Sequence, residues 1–124
     1  MKLIIGGAHQ GKLEHAKNKY NIREDEVFVC TGAEIDFSKT CIYGIEEFVY
    51  ACIQQGVDAG SYIRKHESEW ADSVLICQDI FCGVVPLGAD MREWRQVTGQ
   101  LCKYLAGKAE TVSRIFCGLE QELK

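Results

Sequence analysis

Residues 2–13 read KLIIGGAHQGKL, an apolar segment that runs directly into a glycine-rich turn and a lysine. The turn has the spacing G-x-x-x-x-G-K of a phosphate-binding loop, which lies between a strand and a helix. We therefore predict a first strand at residues 2–5 and a first helix at about 12–20. Glycines let successive backbone N–H groups point into one hollow, and the helix adds its positive end.

The predicted ligand of this loop is the polyphosphate of a nucleotide, ATP or GTP. The residues expected to hold it are Gly6, Gly7, Ala8, His9, Gln10, Gly11, Lys12 and Leu13. Lys12 would reach the phosphates as a mobile point charge. Leu13 stands where the pattern has the Ser or Thr whose hydroxyl binds Mg²⁺, so the loop lacks its usual metal ligand. The alternative is a tight strand–helix turn that binds nothing.

The overall composition limits the class of protein. A chain of 124 residues with 47% hydrophobic and 26% charged residues suits one globular domain over residues 1–124. Its net charge of −4 gives no basic field for nucleic acid. The sequence has no run of 18 apolar residues and no signal-peptide pattern at its start, which favours a cytoplasmic protein that does not enter a membrane.

The seven cysteines do not predict a disulfide framework, since their number is odd and no C-x-x-C occurs. Their positions are Cys30, Cys41, Cys52, Cys77, Cys82, Cys102 and Cys117. Most have apolar neighbours, as in Val29-Cys30, Ile76-Cys77 and Phe116-Cys117. We therefore expect these cysteines to be small buried hydrophobic residues.

Strand and helix patterns alternate along the chain, which predicts an α/β fold with a mainly parallel sheet. Further strands are predicted at 27–30, 40–43, 74–77 and, as the last one, 114–117. Helix patterns begin at Ile45 and end at Gly56, continue on a stripe from Ala59 to Trp70, and recur over about 91–106.

Three segments resemble the bifunctional adenosylcobinamide kinase / adenosylcobinamide-phosphate guanylyltransferase family. Residues 4–12, IIGGAHQGK, are similar to the start of that family, which continues G-G-A-R-S-G-K-S. Residues 74–86, VLICQDIFCGVVP, are similar to its V-L-V-T-N-E-V-G-M-G-I-V-P. The helix with Arg92, Trp94, Arg95 and Gly99 follows in register, and residues 114–119 look like the family's closing strand. The resemblance implies a reduced, three-layer P-loop NTPase-like domain with a shortened middle.

The resemblance also implies a function, which is phosphorylation of adenosylcobinamide and attachment of GMP through a histidine intermediate. Lys12 matches the family's loop lysine, and Asp79 matches an acidic position after the strand, so both are implied as catalytic residues. The interval 32–43, where the family has its guanylylated histidine, contains no histidine. His66 lies on the wrong side of the mid-chain helix to replace it. A corrinoid is implied as a possible second ligand.

Three functions follow from these matches and departures. The first is an active kinase whose Mg²⁺ is held by Asp79 or Thr31 instead of by the loop. The second, which the combined losses favour, is a nucleotide-binding domain with impaired or lost catalysis. The third is a partner-binding or thiol-based role, with Cys77 and Cys82 near Asp79 as redox partners or soft metal ligands. Strand edges left exposed by the shortened middle favour a homo-oligomer.

Overall fold

The structure, a computed structural model, describes residues 1–80 and 88–124. Most of the predicted loop between Asp79 and Asp90, including Cys82 and Pro86, lies outside the described residues. The family-like segment G-V-V-P lies there too, so the structure does not test this part of the resemblance.

The described strands form one six-stranded sheet. They are β1 (Lys2–Gly6), β2 (Val27–Val29), β3 (Cys41–Tyr43), β4 (Val74–Gln78), β5 (Thr111–Phe116) and β6 (Leu119–Glu122). The order across the sheet is β2-β3-β4-β1-β5-β6. The first five strands are mutually parallel, and β6 pairs antiparallel with β5. The predicted α/β class with a mainly parallel sheet is confirmed.

Helices cover both faces of the sheet. They are α1 (Lys12–Tyr20), α2 (Ile45–Gln55), α3 (Ala59–Lys65), α4 (Glu67–Trp70) and α5 (Ala89–Lys108). Alternate residues of β1 point to opposite faces. Ile4 packs in a cluster with Ala16 of α1, whereas Leu3 packs in a second cluster with residues of the other four helices. The sheet therefore lies between α1 on one side and α2–α5 on the other.

Two predicted elements need correction. The stripe from Ala59 to Trp70 is two short helices, because the chain leaves helical geometry at His66 (φ −98°, ψ 17°). The strand over 114–117 is not the last one, since β6 returns beside it. The turn between β5 and β6 consists of Cys117 and Gly118, both with positive φ (51° and 75°), which is the two-residue turn that suits a twisted hairpin.

The hairpin turn also overturns the expectation for Cys117. This cysteine is exposed, because a two-residue turn at the end of a hairpin has no layer above it. Cys30, Cys41, Cys52 and Cys77 are buried, as their apolar neighbours predict, and Cys102 is half-buried.

The largest buried side chain on the α2–α5 side is Trp70, which is 1% exposed. Its indole Nε1 donates a hydrogen bond of 2.8 Å to the backbone oxygen of Ile63. The ring of Tyr104, on α5, meets it edge-on at 6.3 Å between centroids. Trp70 therefore connects α3, α4 and α5 in one packed layer.

Candidate functional site

The turn from β1 into α1, residues 6–13, is called the glycine loop below. It leaves the sheet between the carboxyl ends of β4 and β5, because β1 lies between those strands. In open parallel sheets this edge is where ligands bind, since loops and helix N-termini meet there. The turn thus lies between a strand and a helix, as the sequence pattern predicts.

Two glycines make the path of this loop possible. A Cβ atom on Gly6 would lie 2.6 Å from the backbone oxygen of Ile115 in β5, closer than any real contact. Gly11 has φ +86° and ψ 26°, the left-handed conformation that glycine adopts without strain, and it caps the N-terminus of α1. His9 also has a positive φ of 58°.

Carbonyl groups fix the glycine loop to both neighbouring strand ends. The N–H of Asp79, after β4, donates to the oxygen of Gly6 at 2.6 Å. On the other side, Gly118 N donates to the oxygen of Gln10 at 3.0 Å, and Cys117 N donates to Gln10 Oε1 at 2.5 Å. In all three contacts the loop supplies the carbonyl oxygen that accepts the hydrogen bond, so none of them uses an N–H group of the loop.

The donors of the same loop remain available. Within residues 1–80 and 88–124, no backbone N–H from Gly7 to Leu13 donates a hydrogen bond of normal geometry. No side chain of the described residues caps the N-terminus of α1. Consecutive free N–H groups ahead of a helix form an electropositive hollow that suits an anion.

Lys12 lies folded across this loop. The residue is 5% exposed, and its Nζ donates a hydrogen bond of 2.5 Å to the oxygen of Gly7. Burial lowers the pKa of Lys12, while the nearby carboxyl groups of Glu46 and Asp79 act in the opposite direction. The structure therefore holds a desolvated ammonium group at the centre of the loop, with acidic groups near it.

Glu46 is a site residue that the sequence analysis missed. It lies in the first turn of α2, is 6% exposed, and accepts a hydrogen bond of 2.8 Å from the N–H of Gln78 at the end of β4. Burial raises the pKa of Glu46, and the Gln78 hydrogen bond partly offsets that rise. One sign of this burial is present in the sequence. Glu46 lies three residues before Val49, next to the apolar residues that form the buried face of α2.

A cavity of about 360 Å³ opens beside the glycine loop. Its walls come from the ends of β1, β4 and β5: Gly7, Ala8, Gln10, Gln78, Asp79, Ile80, Arg114, Ile115 and Phe116. The structure thus brings Asp79 to the loop, as the resemblance implies, although its role stays a prediction. Phe116 is 62% exposed at the rim.

Other residues considered from the sequence lie elsewhere. Thr31 lines a different cavity, with Phe28 and Asp36, and follows β2, three strands from β1. At about 4.8 Å per strand, that is roughly 14 Å across the sheet. His66 packs against Phe37 and Tyr62 on the α2–α5 side.

Leu13 is half-buried and packs with the cluster under α1. In the described part of the chain, no group of three or more His, Cys, Asp or Glu side chains is arranged to hold a metal ion. Neither the glycine loop nor the strand ends described beside it therefore supplies a ready-made metal site.

Neutralising Glu46 tests its burial. Because burial raises the Glu46 pKa above 4.5, the folded chain keeps this proton at pH values where the unfolded chain has lost it. Stability is therefore lost as pH rises from 4.5 through the folded pKa. Glu46→Gln keeps an acceptor for Gln78 and removes the cost of desolvating a carboxylate, which outweighs the attraction of Lys12. We therefore expect the free energy of unfolding of this variant at neutral pH to exceed that of the wild type by about 1 kcal/mol.

Urea titrations at several pH values measure this effect. The advantage of Glu46→Gln should disappear below pH 4.5, where both states of the wild type are protonated at this position. The matched control is Glu47→Gln, since Glu47 is the exposed neighbour on the same helix. Equal stabilisation by Glu46→Gln and Glu47→Gln would show that the burial of Glu46 is not the cause.

Comparison with protein-family models and with curated protein sequences gives no match for this chain. The cobinamide kinase resemblance therefore rests on the quoted residues alone. In the part of the chain that the structure describes, no helix has both the length and the apolar character needed to cross a bilayer.

Proposed function

We propose that this chain binds the polyphosphate of a nucleotide, ATP or GTP, at the glycine loop, with impaired or lost catalysis. One observation carries the proposal: the glycine loop has backbone N–H groups without a described acceptor, and the buried ammonium of Lys12 is folded back onto the oxygen of Gly7 in the same loop. An anion there would satisfy donors that have no described acceptor, and it would also compensate the desolvated charge.

Binding exchanges one contact of Lys12 for stronger ones. In the structure the ammonium group donates to a neutral carbonyl, that of Gly7. Phosphate oxygens carry negative charge, so a positive ammonium group is attracted to them more strongly than to the oxygen of a neutral carbonyl, above all where water is excluded. The lysine would therefore move from Gly7 to the phosphates, with Gly6 and Gly11 keeping the backbone path.

Catalysis is the part of the family's chemistry that this loop supports least. Phosphoryl transfer depends on a metal ion that neutralises charge between the phosphates. Leu13 offers no hydroxyl to such an ion and packs into the core under α1. A domain that binds a nucleotide without turning it over fits these residues better than an efficient kinase.

A second candidate is a kinase acting on a cobinamide-like substrate. The nearness of two carboxylates favours it, because Glu46 and Asp79 both lie close enough to Lys12 to affect its pKa. Either could orient a substrate hydroxyl or contribute to an Mg²⁺ site completed by the nucleotide. Turnover of adenosylcobinamide with ATP or GTP would favour this candidate over the first.

Replacing Lys12 tests the binding proposal. Fluorescent ATP and GTP analogues are titrated into the wild type and Lys12→Ala, with and without Mg²⁺. Loss of a hydrogen bond between charged groups costs about 1.5–3 kcal/mol, so we expect Lys12→Ala to bind roughly 10- to 100-fold more weakly. Binding by the wild type should hardly change when Mg²⁺ is removed.

The matched control is Lys65→Ala, which removes an exposed lysine from α3. Its affinity for the nucleotide should equal that of the wild type. If neither analogue binds, or if both lysine variants weaken binding equally, the glycine loop is not a nucleotide site. Binding that requires Mg²⁺ would instead argue for a metal-dependent enzyme.

A further inference from the structure

Two cysteines on different elements lie in sulfur–sulfur contact near the carboxyl end of β4. The Sγ atoms of Cys77, on β4, and Cys102, on α5, are 3.5 Å apart. Both are free thiols in the structure. A disulfide bond needs a sulfur separation of about 2 Å, so the two sulfur atoms would have to approach each other by about 1.5 Å.

The packing of α5 keeps this contact in place. Leu101 and Leu105, which flank Cys102 on α5, are buried against the sheet. Two turns earlier on the same helix, Trp94 Nε1 donates a hydrogen bond of 2.8 Å to the backbone oxygen of Glu46. The helix is therefore held by its buried leucines and, two turns away, by the Trp94 hydrogen bond to α2. These contacts fix the position of Cys102 relative to β4.

Exposure differs between the two thiols. Cys77 is fully buried, whereas Cys102 is half-buried. An oxidant that comes from solvent therefore meets Cys102 before it meets the fully buried Cys77. This is the arrangement of an attacking thiol with a resolving thiol next to it.

We propose that Cys77 and Cys102 form a reversible intramolecular disulfide when a low-molecular-weight disulfide such as oxidised glutathione is the oxidant. The proposal goes beyond the nucleotide-binding function and does not depend on it. The pair also differs from the one named in the third hypothesis from the sequence, which combined Cys77 with Cys82.

The chemistry proceeds in two exchanges. The Cys102 thiolate attacks one sulfur of oxidised glutathione, forms a mixed disulfide and releases a glutathione thiolate. Cys77 then loses its proton and attacks the Cys102 sulfur, and the expelled second glutathione takes up that proton. Two protein thiols are oxidised by two electrons, and one glutathione disulfide is reduced to two thiols.

The Cys102 contact and burial raise the pKa of the Cys77 thiol well above its ordinary value. The second exchange is therefore the slower one, because only a thiolate attacks. A bond at this place would join α5 to β4 one residue before Gln78, whose N–H is held by Glu46. The oxidised chain would thus have the strand end beside the glycine loop covalently fixed to the longest helix.

Mass spectrometry of the full chain tests the proposal. The reduced protein is incubated with oxidised glutathione, remaining thiols are blocked with N-ethylmaleimide, and the digest is searched for linked peptides. In the wild type we expect a Cys77–Cys102 link and two fewer alkylated thiols. Cys102→Ser should lose the link, and Cys77→Ser should accumulate glutathione on Cys102.

Cys117→Ser is the matched control, since it removes the exposed thiol of the hairpin turn and should leave the link unchanged. Far-UV circular dichroism checks that each variant is folded, and Cys102→Ala provides a second substitution at the half-buried position. Repeating the reaction on the wild type in urea should scatter the links among other cysteines, because the native contact is lost.

Three results would overturn the proposal: glutathione found only on Cys117, a link from Cys77 to Cys82, or full alkylation of Cys77 and Cys102 in the folded wild type. The mass readout involves no nucleotide. A failure here therefore leaves the loop proposal intact, and a failure to bind nucleotide leaves the disulfide proposal intact.

Discussion

Replacing Trp70 with alanine is expected to lower the free energy of unfolding by about 3–5 kcal/mol. The side chain is 1% exposed, so the substitution would leave a cavity where three helices meet. It would also remove the donor of Ile63 O and the edge-on contact with Tyr104. Urea titration followed by far-UV circular dichroism measures the loss without depending on indole fluorescence.

Trp70→Phe separates packing from hydrogen bonding at this position. It keeps an aromatic ring but removes the indole donor, so that the Ile63 oxygen keeps only the bond of 3.2 Å from the His66 N–H. We therefore expect a smaller loss of about 1–3 kcal/mol. A loss below about 1 kcal/mol for Trp70→Ala would contradict the burial of this side chain and the way in which α3, α4 and α5 pack together.

Gly6→Ala is expected to cost about 1–3 kcal/mol of stability and to weaken nucleotide binding at least about tenfold. The added methyl group would lie 2.6 Å from the oxygen of Ile115. That atom belongs to the backbone of β5, which cannot move aside as a flexible side chain could. Either β1 and β5 separate or the start of the glycine loop shifts. Both changes would displace the backbone N–H groups of the loop that are proposed to bind phosphate.

Gly107→Ala is the matched control, because a Cβ at Gly107 in α5 meets nothing within 4 Å. The same added methyl group should there stabilise the chain by up to about 1 kcal/mol, the helix preference of alanine over glycine. Denaturation and nucleotide titration of the two variants give the comparison. Wild-type stability and affinity in Gly6→Ala would show that the close approach to Ile115 is not required.

The regular elements were predictable where one strong pattern decided them. The apolar spacing from Ile45 and the stop at Gly56 predicted α2 closely, and the strand–glycine–lysine pattern predicted β1 and α1. The order of the strands was not predictable in this way. Which strands pair across the sheet depends on contacts between segments far apart in the chain, and local periodicity carries no information about them.

The missed features share a weak local signal. The turn of Cys117 and Gly118 is not one of the residue pairs that usually mark a hairpin, and the sequence LEQE of β6 is poor in strand-forming residues. Glu46 was missed for another reason. A glutamate in the first turn of a helix is common because it suits the helix dipole, so its place beside the apolar stripe of α2 was only a weak sign of burial.

The central position of β1 has a consequence for how the chain acquires its structure. This first strand pairs with Val74–Gln78 on one side and with residues from Thr111 onward on the other. Pairings between distant segments slow folding, since a large part of the chain must be ordered before they form. During synthesis on the ribosome, β1 would therefore be made before the other five described strands, and it would be among the last to pair on both sides.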